Sequence, residues 1–209
     1  MEKSLIVHVP DGPALEARLA PVAIPRGGFV ICHPHPLYGG DMDNPVVIRA
    51  AEVARDAGHA TLRFNFRGTG ASEGAHDKGR GEQDDVRAAM AALAANLPAG
   101  SRVGVMGYSF GAAMAARATR ASVPDAPLVL IAPPLGMLEF DFLRPGAGRL
   151  LLVAGTADAY CPVEALRRLA ALTGAQERII EGADHFFFGK LYPLGEAIGV
   201  WLAGEPPAG

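Results

Sequence analysis

Three features of the sequence predict an α/β architecture: a mostly parallel, doubly wound sheet of about eight strands with an N-terminal antiparallel hairpin. Short, nearly unbroken apolar runs such as FVIC, LVLI and LLLV recur along the chain, as expected for strands buried on both faces of a parallel sheet. Longer stretches with helical periodicity and helix-type punctuation lie between them. The alternation persists through most of the 209 residues, which puts helices on both faces of one sheet. The length suits one core, so residues 1–203 are read as a single domain without a cap, and 204–209 as a tail that frays.

The elements follow in order. SLIVHV (4–9) and ALEARLA (14–20) flank Asp11-Gly12-Pro13, a turn signal, and read as the hairpin. Buried-strand runs then appear at 28–33, 60–66, 102–107, 127–132, 149–155 and 177–181. The first helix follows Asn44 as N-cap, with Pro45 at its first position and Gly58 past its end. A second spans about Glu82 to Asn96, and a third begins after Ser109. The fourth opens near Pro162 and closes before Gly174, and the last covers about Leu191 to Leu202.

Composition narrows the function classes. Formal charge is -3, which argues against a nucleic-acid surface or an anionic membrane as partner. Cys32 and Cys161 lie far apart, forming neither a disulfide framework nor a metal-ligand pattern. No apolar run reaches spanning length and the N-terminus carries no secretory pattern, so the expectation is a soluble, cytoplasmic protein.

Gly107-Tyr108-Ser109-Phe110-Gly111 is a G-x-S-x-G between a buried strand run and an alanine-rich helix. A sharp strand-to-helix turn of this kind lifts a serine hydroxyl above the sheet and aims a helix N-terminus at it. A second copy, Gly70 to Gly74 around Ser72, opens no helix and reads as loop. Ser109 is the candidate nucleophile. A serine needs a base, and the base needs a group that fixes its tautomer. Of six histidines only His185 follows Ser109, on a loop after the last strand run. Asp158, at the end of RLLLVAGTAD, is the candidate orienting acid. Asp184 competes by adjacency alone, since sequence neighbours rarely face each other well enough.

Ser109, Asp158 and His185, in that chain order, resemble the α/β-hydrolase superfamily. The segments HPHPLYGGDMDNPVV (33–47) and RFNFRGTGASEG (63–74) are similar to a group of small bacterial serine hydrolases without a cap, dienelactone-hydrolase-like in style. The resemblance covers nearly the whole chain and implies a serine nucleophile and no cofactor. Dienelactone hydrolases themselves carry a cysteine where this chain has Ser109.

Two N–H donors should meet a developing oxyanion, one from Phe110 and one from the HPHPLYGG loop. Pro34 and Pro36 have no N–H, which leaves Leu37 first and Tyr38 second. Tyr108, Phe140 and Phe186 are candidate substrate contacts, with 135–148 a single apolar flap too short for a lid domain. The H-x-H of His33 and His35, with Asp41, Asp43 or His76, also permits a metal-site reading; a rigid loop bonded to its own backbone fits the flanking prolines better, and no metal is expected. The glycines from Gly68 to Gly74 read as a turn shaped with Arg67, and Asp84-Asp85 as a solvated or capping face. The function expected is hydrolysis of a small-molecule ester or thioester through an acyl-enzyme. The alternatives are a non-catalytic binding protein and a metal-dependent hydrolase. Acyl group, leaving group and oligomeric state stay open.

Overall fold

A computed structural model describes residues 2–145 and 148–204. The strands are β1 (Lys3–His8), β2 (Ala14–Ala20), β3 (Gly28–Cys32), β4 (Ala60–Phe64), β5 (Val103–Tyr108), β6 (Leu128–Ile131), β7 (Leu150–Gly155) and β8 (Gln176–Ile180). The helices are α1 (Pro45–Asp56), α2 (Gly81–Ala94), α3 (Phe110–Ser122), α4 (Val163–Thr173) and α5 (Leu191–Ala203). A single 3₁₀ turn covers Pro36–Tyr38. Of the tail expected to fray, only Gly204 lies among the described residues.

The strands form one eight-stranded sheet in the order β1-β2-β4-β3-β5-β6-β7-β8. β1 pairs with β2, and β2 with β4, antiparallel; every later pairing is parallel. The chain steps from β3 outward to β4, then returns to lay β5 on the other side of β3. That reversal leaves a crevice beyond the carboxyl ends of β3 and β5, where open α/β sheets place their sites.

Strands β3, β4, β6 and β7 are buried along their whole length, which accounts for the unbroken apolar runs of β3, β6 and β7, while β4 also buries Thr61 and Arg63. One face packs on α1 and α5 through Val47, Ala50, Leu194, Ile198 and Trp201. The opposite face packs on α2, α3 and α4 through Val86, Leu93, Ala112, Ala116 and Leu166. The small side chains of α3 let that central helix lie close to the sheet.

Helix punctuation behaves as its chemistry dictates. Asn44 Oδ1 accepts the Val46 N–H at 2.9 Å, with Pro45 inside the first turn. Gly174 ends α4 in the left-handed conformation and donates to Ala170 O. One surface reading is corrected. Asp84 is half-exposed and pairs with Arg87, but Asp85 is fully buried and takes a two-pronged ion pair from Arg67. Successive helical residues point about 100° apart, so two adjacent aspartates on α2 cannot share a face.

Candidate active site

Ser109 sits between β5 and α3 with φ 55° and ψ -117°, a backbone conformation that L residues rarely adopt. Its N–H donates to Ile131 O at 2.9 Å, and its own carbonyl accepts from Ala112 N at 2.9 Å. The chain thus leaves the sheet and enters the helix within one residue. The flanking glycines are required by close approach. A Cβ on Gly107 would lie 2.3 Å from Gly111 O, and one on Gly111 would lie 2.5 Å from the carbonyl oxygens of Cys32 and His33. Helix α3 therefore starts hard against the end of β3.

The other two members of the constellation arrive on loops zipped together. Ala157 N donates to Ala183 O at 2.9 Å, Thr156 N to Ile180 O at 3.1 Å, and Gly182 N to Thr156 Oγ1 at 2.8 Å. Across this seam His185 Nδ1 lies 3.0 and 2.9 Å from the two carboxylate oxygens of Asp158. Its Nε2 lies 2.9 Å from Ser109 Oγ. The carboxylate can only accept, so Nδ1 carries the proton and Nε2 is left to accept from the serine hydroxyl. Asp158 is held in turn: its Oδ1 accepts the N–H groups of Tyr160 at 2.8 Å and Cys161 at 3.0 Å. Asp184 faces its own loop, where Oδ1 accepts from Phe186 N and Phe188 N.

The loop after β3 folds around His35. His35 O accepts from Tyr38 N and Gly40 N, both at 3.1 Å, and His35 Nδ1 accepts from Leu37 N at 3.2 Å. Leu37 and Tyr38 were the expected second oxyanion donors. That expectation is corrected, because both N–H groups are consumed inside the turn. Among the described residues no hydrogen bond engages the N–H of His35 or of Phe110. The sequence signal was available in part, since eliminating the prolines also leaves His35.

Two of the three expected substrate contacts are also corrected. Tyr108 is buried, and its hydroxyl donates to His185 O at 2.8 Å, so it holds the histidine backbone from beneath. Burial, with Asp158 and Asp184 nearby, pushes its phenol up. Phe140 is buried in the core on the side of α3. Phe186 is exposed, with its ring edge-on to His185 at 5.7 Å. Sequence reading passed over Tyr160, half exposed, whose ring lies 4.8 Å from the His185 ring. It sits two residues past Asp158, which was signal enough.

The remaining candidates are accounted for structurally. Ser72 Oγ donates to Asn65 O at 2.7 Å and accepts from Glu16 N at 2.9 Å, stapling a loop to β2. His33 is fully buried: Nδ1 donates to Pro34 O and Nε2 accepts from Phe66 N at 3.0 Å. With both ring nitrogens engaged, the H-x-H pair does not present two open ligands. Among the described residues no cluster of three or more His, Cys, Asp or Glu side chains could hold a metal ion. Gly68 and Gly70 adopt positive φ in a loop that opens no helix, as a turn beside the site requires. No helix among the described residues is long and apolar enough to cross a membrane.

A serine on a strand–turn–helix elbow, hydrogen-bonded to a histidine that an aspartate orients, is the arrangement of an α/β hydrolase. A family model described as the alpha/beta hydrolase fold matches residues 29–145, and the chain belongs to that family. The matched span holds Ser109 and the β3 loop, while Asp158 and His185 lie beyond it. Among solved structures, XC6422 from Xanthomonas campestris, an α/β serine hydrolase without a lid, is 32% identical with a TM-score of 0.88. That match covers 99% of this chain and 97% of the other. An α/β serine hydrolase homologue from Coxiella burnetii is 32% identical with a TM-score of 0.86, covering 95% and 96%. RP471 of Rickettsia prowazekii, an uncharacterized protein, is 33% identical over 204 residues, covering 92% of this chain and 85% of that protein.

Proposed function

We propose that the protein hydrolyses carboxylic esters or thioesters of small molecules through an acyl-enzyme, with Ser109 as nucleophile, His185 as general base and Asp158 as orienting acid. The single observation that carries this reading is the continuous chain from Asp158 through His185 to Ser109, closed at 2.9 Å between Nε2 and Oγ. Ser109 Oγ attacks the carbonyl carbon as its proton passes to His185 Nε2. Asp158 stabilises the imidazolium that forms without taking the proton itself. Collapse of the tetrahedral adduct expels the alcohol or thiol, which receives the proton from His185. Water then attacks the acyl-serine under the same base, and the acid leaves.

The oxyanion is met by the Phe110 N–H at the start of α3 and by the His35 N–H. Such donors are each worth about 100- to 1,000-fold in turnover. The site is open, with Phe186 and Tyr160 as walls and the segment after β6 as a flap rather than a lid. The proposed setting is the cytoplasm. A panel of soluble p-nitrophenyl esters and acyl thioesters of increasing chain length tests the reading. Turnover with a pre-steady-state burst of one leaving group per chain is expected for at least one acyl length. Absence of turnover and of burst across both series would contradict it.

A further inference from the structure

Both proposed oxyanion donors, Phe110 and His35, send their side chains into one cluster that the hydrolytic steps do not use. The His35 ring lies 4.7 Å from the Phe110 ring, 4.9 Å from His76 and 4.8 Å from Tyr38. The His76 ring also reaches Phe110, at 5.6 Å. His76 Nδ1 lies 2.8 Å from Glu82 Oε1, with the Glu82 side chain wholly out of solvent and that of His76 nearly so. Glu82 is fixed in turn, because Oε1 accepts from Asp77 N at 2.7 Å and Oε2 from Gly79 N at 2.8 Å.

We infer that His76, anchored by buried Glu82, is a positioning residue for the oxyanion hole: it braces the rings of His35 and Phe110 and so sets the spacing of their two backbone N–H groups. This rests on the serine-hydrolase reading of the site and deepens it. The physical argument is one of rigidity. From Leu37 to Gly40 the N–H groups close back on His35 and Pro36, so these bonds fix the shape of the turn and not its place against α3, and His35 Nδ1 holds the Leu37 N–H only while that nitrogen is unprotonated. Burial, then the neighbouring His76, lower the His35 pKa, which keeps the acceptor available. Phe110 begins α3 and cannot move without the helix. His76 touches both rings at once. A carboxylate with no access to water, already holding two loop N–H groups, gives the histidine a fixed mount. Displacement of a donor by about 1 Å is enough to cost on the order of 100-fold in rate.

The test uses the full chain, p-nitrophenyl butyrate and a fluorophosphonate. His76→Phe keeps a ring against His35 and Phe110 but makes no polar contact with Glu82; His76→Ala removes both contacts; His76→Gln restores a polar side chain able to donate to Glu82. For His76→Ala the expected result is a kcat about 10- to 100-fold below wild type with KM little changed. The rate of Ser109 phosphonylation should fall in parallel. His76→Phe should fall between His76→Ala and wild type, and His76→Gln should recover part of the loss. A folded His76→Ala or His76→Phe with wild-type kcat and phosphonylation rate would overturn the inference, as would a loss seen only in melting temperature. Failure of the wild type itself to react with the phosphonate would instead remove the serine-hydrolase reading, and this inference with it.

Discussion

Asp158 turns both carboxylate oxygens to the Nδ1 of His185, while Asp184, the sequence neighbour of that histidine, spends its side chain on the N–H groups of Phe186 and Phe188. Replacing Asp158 with Asn should lower kcat by about 10,000-fold, because an amide can stabilise the wrong imidazole tautomer. Asp184→Asn should cost less than about tenfold; steady-state kinetics on one soluble ester decides between them. His33 offers a pH test. Burial pushes its imidazole down to about 4, from an ordinary value of 6.5. The unfolded chain then takes up the proton first as pH falls. The stability His33 confers is complete above about pH 6.5 and is lost between there and about pH 4, by up to about 3 kcal/mol. Denaturation of wild type and His33→Gln across that range should show the wild-type slope flattened in the variant; equal slopes would contradict the assignment. At this scale the sequence was legible where a residue's role follows from its element. Ser109 and His185 stand at strand ends that the apolar runs mark. It was illegible where a role depends on which atoms a turn consumes, as for Leu37 and Tyr38, or on a distant partner of a buried side chain, as for the Tyr108 hydroxyl on His185 O.

The strand–elbow–helix unit depends on an approach that leaves no room for a side chain. Gly111→Ala would press a Cβ to within 2.5 Å of two main-chain carbonyls of β3 and its loop, neither of which is the end of a flexible side chain. The expected result is loss of about 1–3 kcal/mol of stability or more, together with loss of most activity, since α3 carries the proposed Phe110 donor. Gly39→Ala is the comparison: a Cβ there meets nothing within 4 Å, and its cost comes only from the positive φ of 80°. Chemical denaturation of both variants checks the ordering. The order and kind of the elements were legible because a parallel sheet covered on both faces writes itself as apolar runs, and because Asn44-Pro45 and Gly174 punctuate helices by plain capping chemistry. Asp85 was misread because its partner Arg67 lies in a loop 18 residues away. Phe140 was misread because an apolar residue in a long connection plugs a core or lines a site with the same letter.

At the scale of the whole molecule, the order in which the chain lays down parallel strands reverses at β3, and the loops after β3, β5, β7 and β8 meet at one end. Between β6 and β7 the described residues form neither helix nor strand, and Phe140 and Leu143 turn inward. A site so built should follow simple saturation kinetics with soluble esters. The expected rate shows no jump as substrate passes its micelle concentration, and a sharp jump would mean a lid. The central claim is that Ser109 is the nucleophile of the Asp158–His185–Ser109 chain, and mass spectrometry after treatment with a fluorophosphonate tests it most directly. The account predicts one adduct per chain, on Ser109, formed far more slowly in His185→Ala; an adduct on Ser72, or none on the folded wild-type protein, would contradict it.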